Sequence, residues 1–316
     1  MTDKKIIAVV GATGAQGGSL ARAILNDPDS EFTVRAITRN PDSEKANELA
    51  TLGAEIVAAD IDDYESVKNA FEGAYGAFLI TNYWEHFSPE REQAQAMNLA
   101  RAAKDTALEH VIWSTLEDTR RWVPLDDDRM PTLMGKYKVP HLDAKGEIDH
   151  VFTDLGVPTT FLLTSFYFEN FINFGMGPKP GPDGRLAITL PMGDKPLPSI
   201  AVNDIGKTAY RIFKGGEEFI GKRVAIAGAH LTGTDFADGF SRALKRDVVY
   251  NAITPEVFRG LGFPGADDIG NMFQFKADFN EYYTGIRDLN ESRHLNPELQ
   301  SFDEWLQQNI DRIPVE

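Results

Sequence analysis

The chain predicts an α/β fold: a doubly wound parallel sheet with helices on both faces, followed by a smaller C-terminal α+β region. Three observations carry this. Apolar runs of strand length recur at KKIIAVV, FTVRAIT, AEIVAAD, YGAFLIT, HVIWST and TTFLLT. Between them lie stretches with helical character, SLARAILND, SEKANELATLG and ESVKNAFEG. Strands alternating with helices imply crossover connections, which bring the strands parallel and bury both sheet faces. From about residue 165 the pattern changes to the Gly- and Pro-rich GMGPKPGPDGRLAITLPMGDKPLPS, with GPDG as a turn between short extended pieces. TDFADGFSRALK, PEVFRGLG and DEWLQQNI then read as helices. Asp63 before YESVKNAF and Asp204 before IGKTAYRIF stand in N-cap positions. The expected division is a sheet domain over 1–160 and a smaller region over 161–316, with the chain re-entering the first domain near 200–228.

Composition narrows the function classes. A 316-residue chain that is 42% hydrophobic and 25% charged can bury a sizeable core. It has no cysteine, which excludes disulfides, thiolate nucleophiles and cysteine-ligated zinc. No apolar run approaches the ~18 residues of a membrane span, and the start MTDKKIIAVV lacks a signal-peptide pattern. The expected address is the cytoplasm, with the nucleus open. A net charge of −16 argues against direct contact with nucleic acid or an anionic membrane. It is compatible with a basic protein partner, and a homodimer stays open.

The strand IIAVV runs into GATGAQGG and then a helix. Gly11, Gly14 and Gly17 form G-x-x-G-x-x-G: the first for a tight turn, the second for close backbone approach to a pyrophosphate, the third for helix-on-strand packing. Amides at the helix N-terminus would face the phosphates. This predicts a Rossmann domain with a nicotinamide dinucleotide on Gly11, Ala12, Thr13, Gly14, Ala15, Gln16 and Gly17. A strand end selecting NAD usually carries an acid for the ribose 2′-hydroxyl. Here FTVRAIT ends in Thr38-Arg39-Asn40, and the planar cation of Arg39 suits a 2′-phosphate, so the expected cofactor is NADP(H). Asp60 to Asp63, with Asp62 and Asp63 foremost, follow the third strand where adenine is expected; helix-capping acids would look the same.

Short-chain dehydrogenases place Tyr-x-x-x-Lys on a helix and a Ser or Thr on the preceding strand. The lysine holds the ribose and lowers the pKa of the phenol. In VPHLDAKGEIDHV, Lys145 has that context, and His141 stands four residues before it in place of tyrosine. Either His141 substitutes as the acid, or the proton donor is lost and Lys145 only binds ribose; imidazole is shorter than phenol, which favours loss. Tyr137 is an unsupported replacement. Ser114 and Thr115 end the fifth strand, where a substrate-orienting hydroxyl would sit or a strand would merely be capped.

At GATGAQGG, TRNP (38–41), TNYWE (81–85), DAKGE (143–147), LGVP (155–158), YFEN (167–170), GFPGA (262–266) and NMF (271–273), the chain resembles the NmrA-like family of atypical short-chain dehydrogenase relatives. The resemblance implies NADP(H) held between a Rossmann domain and a small C-terminal domain. It also implies that Thr81, Asn82 and Tyr83 line the cofactor path, and that Lys145 and Tyr167, Phe168, Glu169 and Asn170 approach the nicotinamide end. A family lysine on the helix after TNYWE is replaced by Ala94. Without the resemblance, the aromatics of TSFYFENFINF read as core packing and those of TNYWE as a cover for the sheet edge. Asp126-Asp127-Asp128 reads as a solvated loop, and no metal is expected. Two functions follow: a redox sensor that binds NADP(H) without turnover and acts through protein interactions, or an NADPH-dependent oxidoreductase reducing a quinone, imine or similar planar substrate.

Overall fold

The computed structural model describes residues 4–181 and 183–315, in two compact units. The first comprises residues up to 117, 144–163 and 202–224; the second comprises 118–143, 164–201 and 225 onward. The segment 118–143 thus leaves the sheet unit, although it lies inside the 1–160 sheet domain expected from the periodicity. A loop-rich stretch carries no hydrophobic period that would assign it to either unit.

In the first unit, β1 (Lys5–Val10), α1 (Ala15–Leu25), β2 (Phe32–Thr38), α2 (Glu44–Thr51), β3 (Glu55–Ala58), α3 (Tyr64–Phe71), β4 (Gly76–Leu79), α4 (Pro89–Asp105), β5 (His110–Thr115), α5 (Pro140–Asp154, whose first turn to Asp143 is counted with the second unit) and β6 (Thr159–Leu163) follow one another. The strands β6-β5-β4-β1-β2-β3 lie parallel, with the short strand Arg223–Ala225 beside β6. β4 and β5 are buried throughout, as expected of a parallel sheet covered on both faces. Side-chain caps start the helices: Ser43 for α2, Asp63 for α3 and Ser88 for α4. The helix expected after Asp204 begins two residues earlier, at Val202, so Asp204 lies buried in its first turn rather than at its cap. That helix crosses α1 closely: a Cβ on Gly206 would stand 2.3 Å from Ser19. Strand order reverses between β1 and β4, and in open sheets the crevice at that reversal, beyond the strands' carboxyl ends, is where ligands bind.

The second unit has two three-stranded sheets. Leu197–Ile200 pairs antiparallel with Ala229–Leu231 and parallel with Phe166–Tyr167. Leu186–Leu190 pairs parallel with Val248–Ala252 and antiparallel with Lys179–Pro180, closing the GPDG turn, of which Pro182 lies outside the described residues. Capping boxes start the helices Gly233–Leu244 and Phe302–Asn309. Their inner faces meet in an aromatic core of Phe168, Phe171, Phe236, Phe240, Phe302 and Trp305, whose edge-to-face and stacked rings add to the burial of apolar area.

Candidate functional site

At the end of β1 the chain turns at Gly11 with φ +64°, a conformation that disfavours any side chain. Gly14 N–H donates to Gly11 O at 2.8 Å and closes the turn. Helix α1 then starts after Gly14 with no side-chain cap, and the first-turn N–H groups of a helix have no acceptor within it. Gly14 and Ala15 are exposed, Gly11 and Thr13 partly so, and Ala12 is buried. A Cβ on Gly17 would stand 2.5 Å from Gly11 O and 2.8 Å from Val10 O, so only glycine lets α1 lie this close to β1. The Gln16 side chain turns inward, and its Oε1 accepts a 2.8 Å hydrogen bond from Ser114 Oγ. Ser114 therefore supports the turn, while the Thr115 hydroxyl donates to Asp149 Oδ1 at 2.6 Å.

Arg39 is exposed after β2, and its guanidinium lies 2.8 Å from the carboxylate of Glu85, in the turn Tyr83–Glu85 beyond β4. Asn82 Nδ2 donates to the same carboxylate at 3.2 Å. Of the two acids expected near adenine, Asp63 accepts from Glu65 N and Ser66 N as the cap of α3. Asp62 accepts from Arg91 and Gln95 of α4, and the Arg91 hydrogen bond holds its carboxyl below the ordinary carboxylate range. Both carboxylates are thus engaged in fastening the α3 and α4 starts.

Lys145 is buried, and its partners were not legible in the sequence. Its Nζ donates to Thr81 Oγ1 at 2.6 Å and Thr81 O at 3.2 Å, and lies 2.9 Å from Oε1 of Glu92, a carboxylate of α4 with no exposed surface. The Thr81 hydroxyl donates to Glu92 Oε1 at 2.6 Å. His86 Nδ1 accepts from Ser88 N–H, and its Nε2 stands 3.4 Å from Glu92 Oε2. The only trace of Glu92 in the sequence is a charged residue at an apolar-periodic position of α4. Tyr83 is buried with its ring edge-on to Trp84. Ala94 is exposed.

The other expected site residues lie in the second unit. His141, on α5 like Lys145, is buried with Nδ1 2.7 Å from Oδ1 of Asp268, and its backbone N–H donates to Asp268 Oδ2. Asp268 sits in the first turn of helix Ala266–Asp278, which begins at the last residue of GFPGA, and sequence reading missed it. A carboxylate on Nδ1 sets the tautomer and orientation of an imidazole. Tyr137 is 1% exposed, with the Arg120 guanidinium 5.3 Å from its ring, and has no surface for a substrate. Asp143 accepts from Thr119 and from the N–H groups of Lys138 and Val139; burial pushes its carboxyl up.

In YFEN, Tyr167 and Asn170 are partly exposed, but Phe168 is 0% exposed between Phe302 and Trp305, and Glu169 accepts from Trp305 Nε1 at 3.0 Å. Phe168 thus packs in the aromatic core, while Tyr167 and Asn170 keep exposed surface. Asp127 accepts from Arg129 in an exposed loop. Among the described residues no group of three or more His, Asp or Glu is arranged to hold a metal, and no helix is long and apolar enough to cross a membrane.

The parallel sheet, its order reversal at β1 and β4 and the glycine turn at that point define a Rossmann-type nucleotide-binding protein. More narrowly, the chain belongs to the NmrA-like family, whose family model matches residues 3–306. An NmrA-like family domain-containing oxidoreductase, FrzB, of a Cladobotryum species is 31% identical over 292 residues, 85% of this chain and 83% of that protein. An NmrA-like family domain-containing protein of Dictyostelium discoideum is 30% identical over 96% of this chain and 97% of its own. Among solved structures, NmrA, a negative transcriptional regulator, in complex with NAD superposes with TM-score 0.81 at 25% identity, covering 98% of this chain and 97% of NmrA. NmrA has also been solved in complex with NADP.

Proposed function

We propose that this chain binds NADP(H) at the Gly11–Gly17 turn and works as a cofactor-responsive regulator, without ordinary dehydrogenase chemistry. The exposed Gly14–Ala15 backbone and the uncapped start of α1 fit a pyrophosphate, and Arg39 fits a 2′-phosphate. NmrA bound to NADP supports the same cofactor. When bound, the dinucleotide would supply a transferable hydride; the chain's residues supply the grip.

One observation carries the regulatory reading: the buried Lys145–Glu92 pair at 2.9 Å. An ammonium neutralised by a buried carboxylate contributes little towards acidifying a neighbouring donor, and the position of the tyrosine it would acidify holds His141. Regulation then requires that reduced and oxidised cofactor, or bound and free states, differ in affinity for two conformations. With a net charge of −16, the complementary protein partner is basic, and the working compartment is the cytoplasm or nucleus. Titration with NADPH and NADP⁺, followed by hydrogen exchange and sizing, tests this. Expected are binding, cofactor-dependent protection or assembly, and no steady NADPH oxidation. Binding with no change in protection or assembly would overturn the reading.

A second reading, an NADPH-dependent oxidoreductase for a quinone or imine, is favoured by the His141–Asp268 pair, since a carboxylate-oriented imidazole can act as an acid–base group. Relatives named oxidoreductases agree with it. Steady NADPH oxidation with a quinone panel, abolished in His141→Ala, would establish it over the first.

A further inference from the structure

We propose that Glu85 is a specificity-determining residue that balances NAD(H) against NADP(H); this rests on the glycine-turn site argued above. The end of β2 carries no acid: Thr38 is buried, with its hydroxyl oxygen accepting from Asn40 N–H at 3.2 Å, and Arg39 follows it. The acid comes instead from the turn beyond β4. Glu85 places its carboxylate 2.8 Å from the Arg39 guanidinium, and Asn82 Nδ2 steadies it at 3.2 Å. Both side chains are solvent-accessible, 58% for Arg39 and 45% for Glu85, so a ligand can reach them.

An anionic oxygen at hydrogen-bond distance from a guanidinium stands where a phosphate oxygen held by the same guanidinium would stand. With a bare ribose, the 2′-hydroxyl donates to Glu85 and accepts from Arg39, and both groups are satisfied. With a 2′-phosphate, two anions share one cation and repel each other. Glu85 therefore strengthens NAD(H) binding and weakens NADP(H) binding. Because the pair is exposed, the effect is a matter of roughly a few-fold in affinity, enough to tune selectivity and too little to exclude either cofactor. The acid that usually ends the second strand and selects NAD is thus supplied from the turn beyond β4, opposed by the arginine that follows β2.

The test is calorimetric titration of the full chain with NADPH and NADH, in the wild type, Glu85→Gln, Glu85→Ala and Arg39→Met. Both Glu85 variants are expected to tighten NADPH about three- to tenfold and to weaken NADH by roughly two- to fivefold. Arg39→Met is expected to weaken NADPH about tenfold or more while leaving NADH within about threefold. An unchanged NADPH-to-NADH ratio in both Glu85 variants, with the wild type binding either cofactor, would overturn the proposal. A wild type that binds neither dinucleotide would overturn the underlying site as well, and the two failures are therefore distinct. The ratio is internal to each protein, so a general loss of folding moves both affinities and not their quotient.

Discussion

The glycine turn and the surroundings of Lys145 lie in the same sheet unit but are built on different principles. The turn is made of backbone and closed by neighbours in sequence: Gly11 at positive φ, Gly14 N–H on Gly11 O, and Gly17 against Val10 and Gly11. The Lys145 cluster is made of side chains gathered from distant places, with Thr81 64 positions away and Glu92 on another helix. The turn faces solvent at Gly14 and Ala15. The cluster excludes solvent, so each charge depends on its partner. Local backbone geometry shapes the turn; side chains distant in sequence assemble the buried ion pair.

Breaking the ion pair should have the largest effect. Glu92→Ala leaves the Lys145 ammonium buried without its carboxylate, and a destabilisation of about 3–5 kcal/mol in urea unfolding at neutral pH is expected. Adding Lys145→Met should recover most of it; no recovery would mean that Glu92 acts through packing rather than through its charge.

A buried titratable group without a countercharge should behave differently from this pair. His110, in β5, bonds through Nε2 to Thr160 Oγ1, which itself donates to Phe219 O, while burial pushes the imidazole down to about 4. Its folded pKa is below the unfolded value of about 6.5, so the folded state binds fewer protons. The contribution is fully present above pH ~6.5, is lost as pH falls toward about 4, and reaches about 3 kcal/mol. Denaturant unfolding between pH 7.5 and 4.5 should show this slope in the wild type and a shallower one in His110→Leu. Equal slopes would assign the acid sensitivity elsewhere.

The smallest of the three effects on stability belongs to the turn. Gly17→Ala places a methyl group against the carbonyls of Gly11 and Val10, with an expected cost of about 1–3 kcal/mol as α1 shifts from β1. NADPH affinity should fall by more than the loss in folded fraction explains, since the amides facing the phosphates move with the helix. Unaltered affinity would place the cofactor elsewhere than on this turn.

The sheet elements, the glycine turn, the cation at Arg39 and the histidine four residues before Lys145 were all legible in the sequence. Each depends on properties carried within a few residues: hydrophobic period, glycine's access to positive φ, and the chemistry of a single side chain. What the side chains would meet was not legible. Glu92 facing Lys145, Asp268 facing His141 across 127 positions and Glu85 facing Arg39 arise from which strand ends and loops the topology brings together. YFEN shows the same division within four residues. The resemblance marked all four as cofactor contacts, yet the fold leaves Tyr167 and Asn170 partly exposed and commits Phe168 to the aromatic core. That a tight glycine turn leads from β1 into α1 follows from residues next to one another, because backbone geometry is local. How the nearby charges pair depends on the packed fold, because a buried charge takes its character from its nearest opposite charge, wherever in the chain that residue lies.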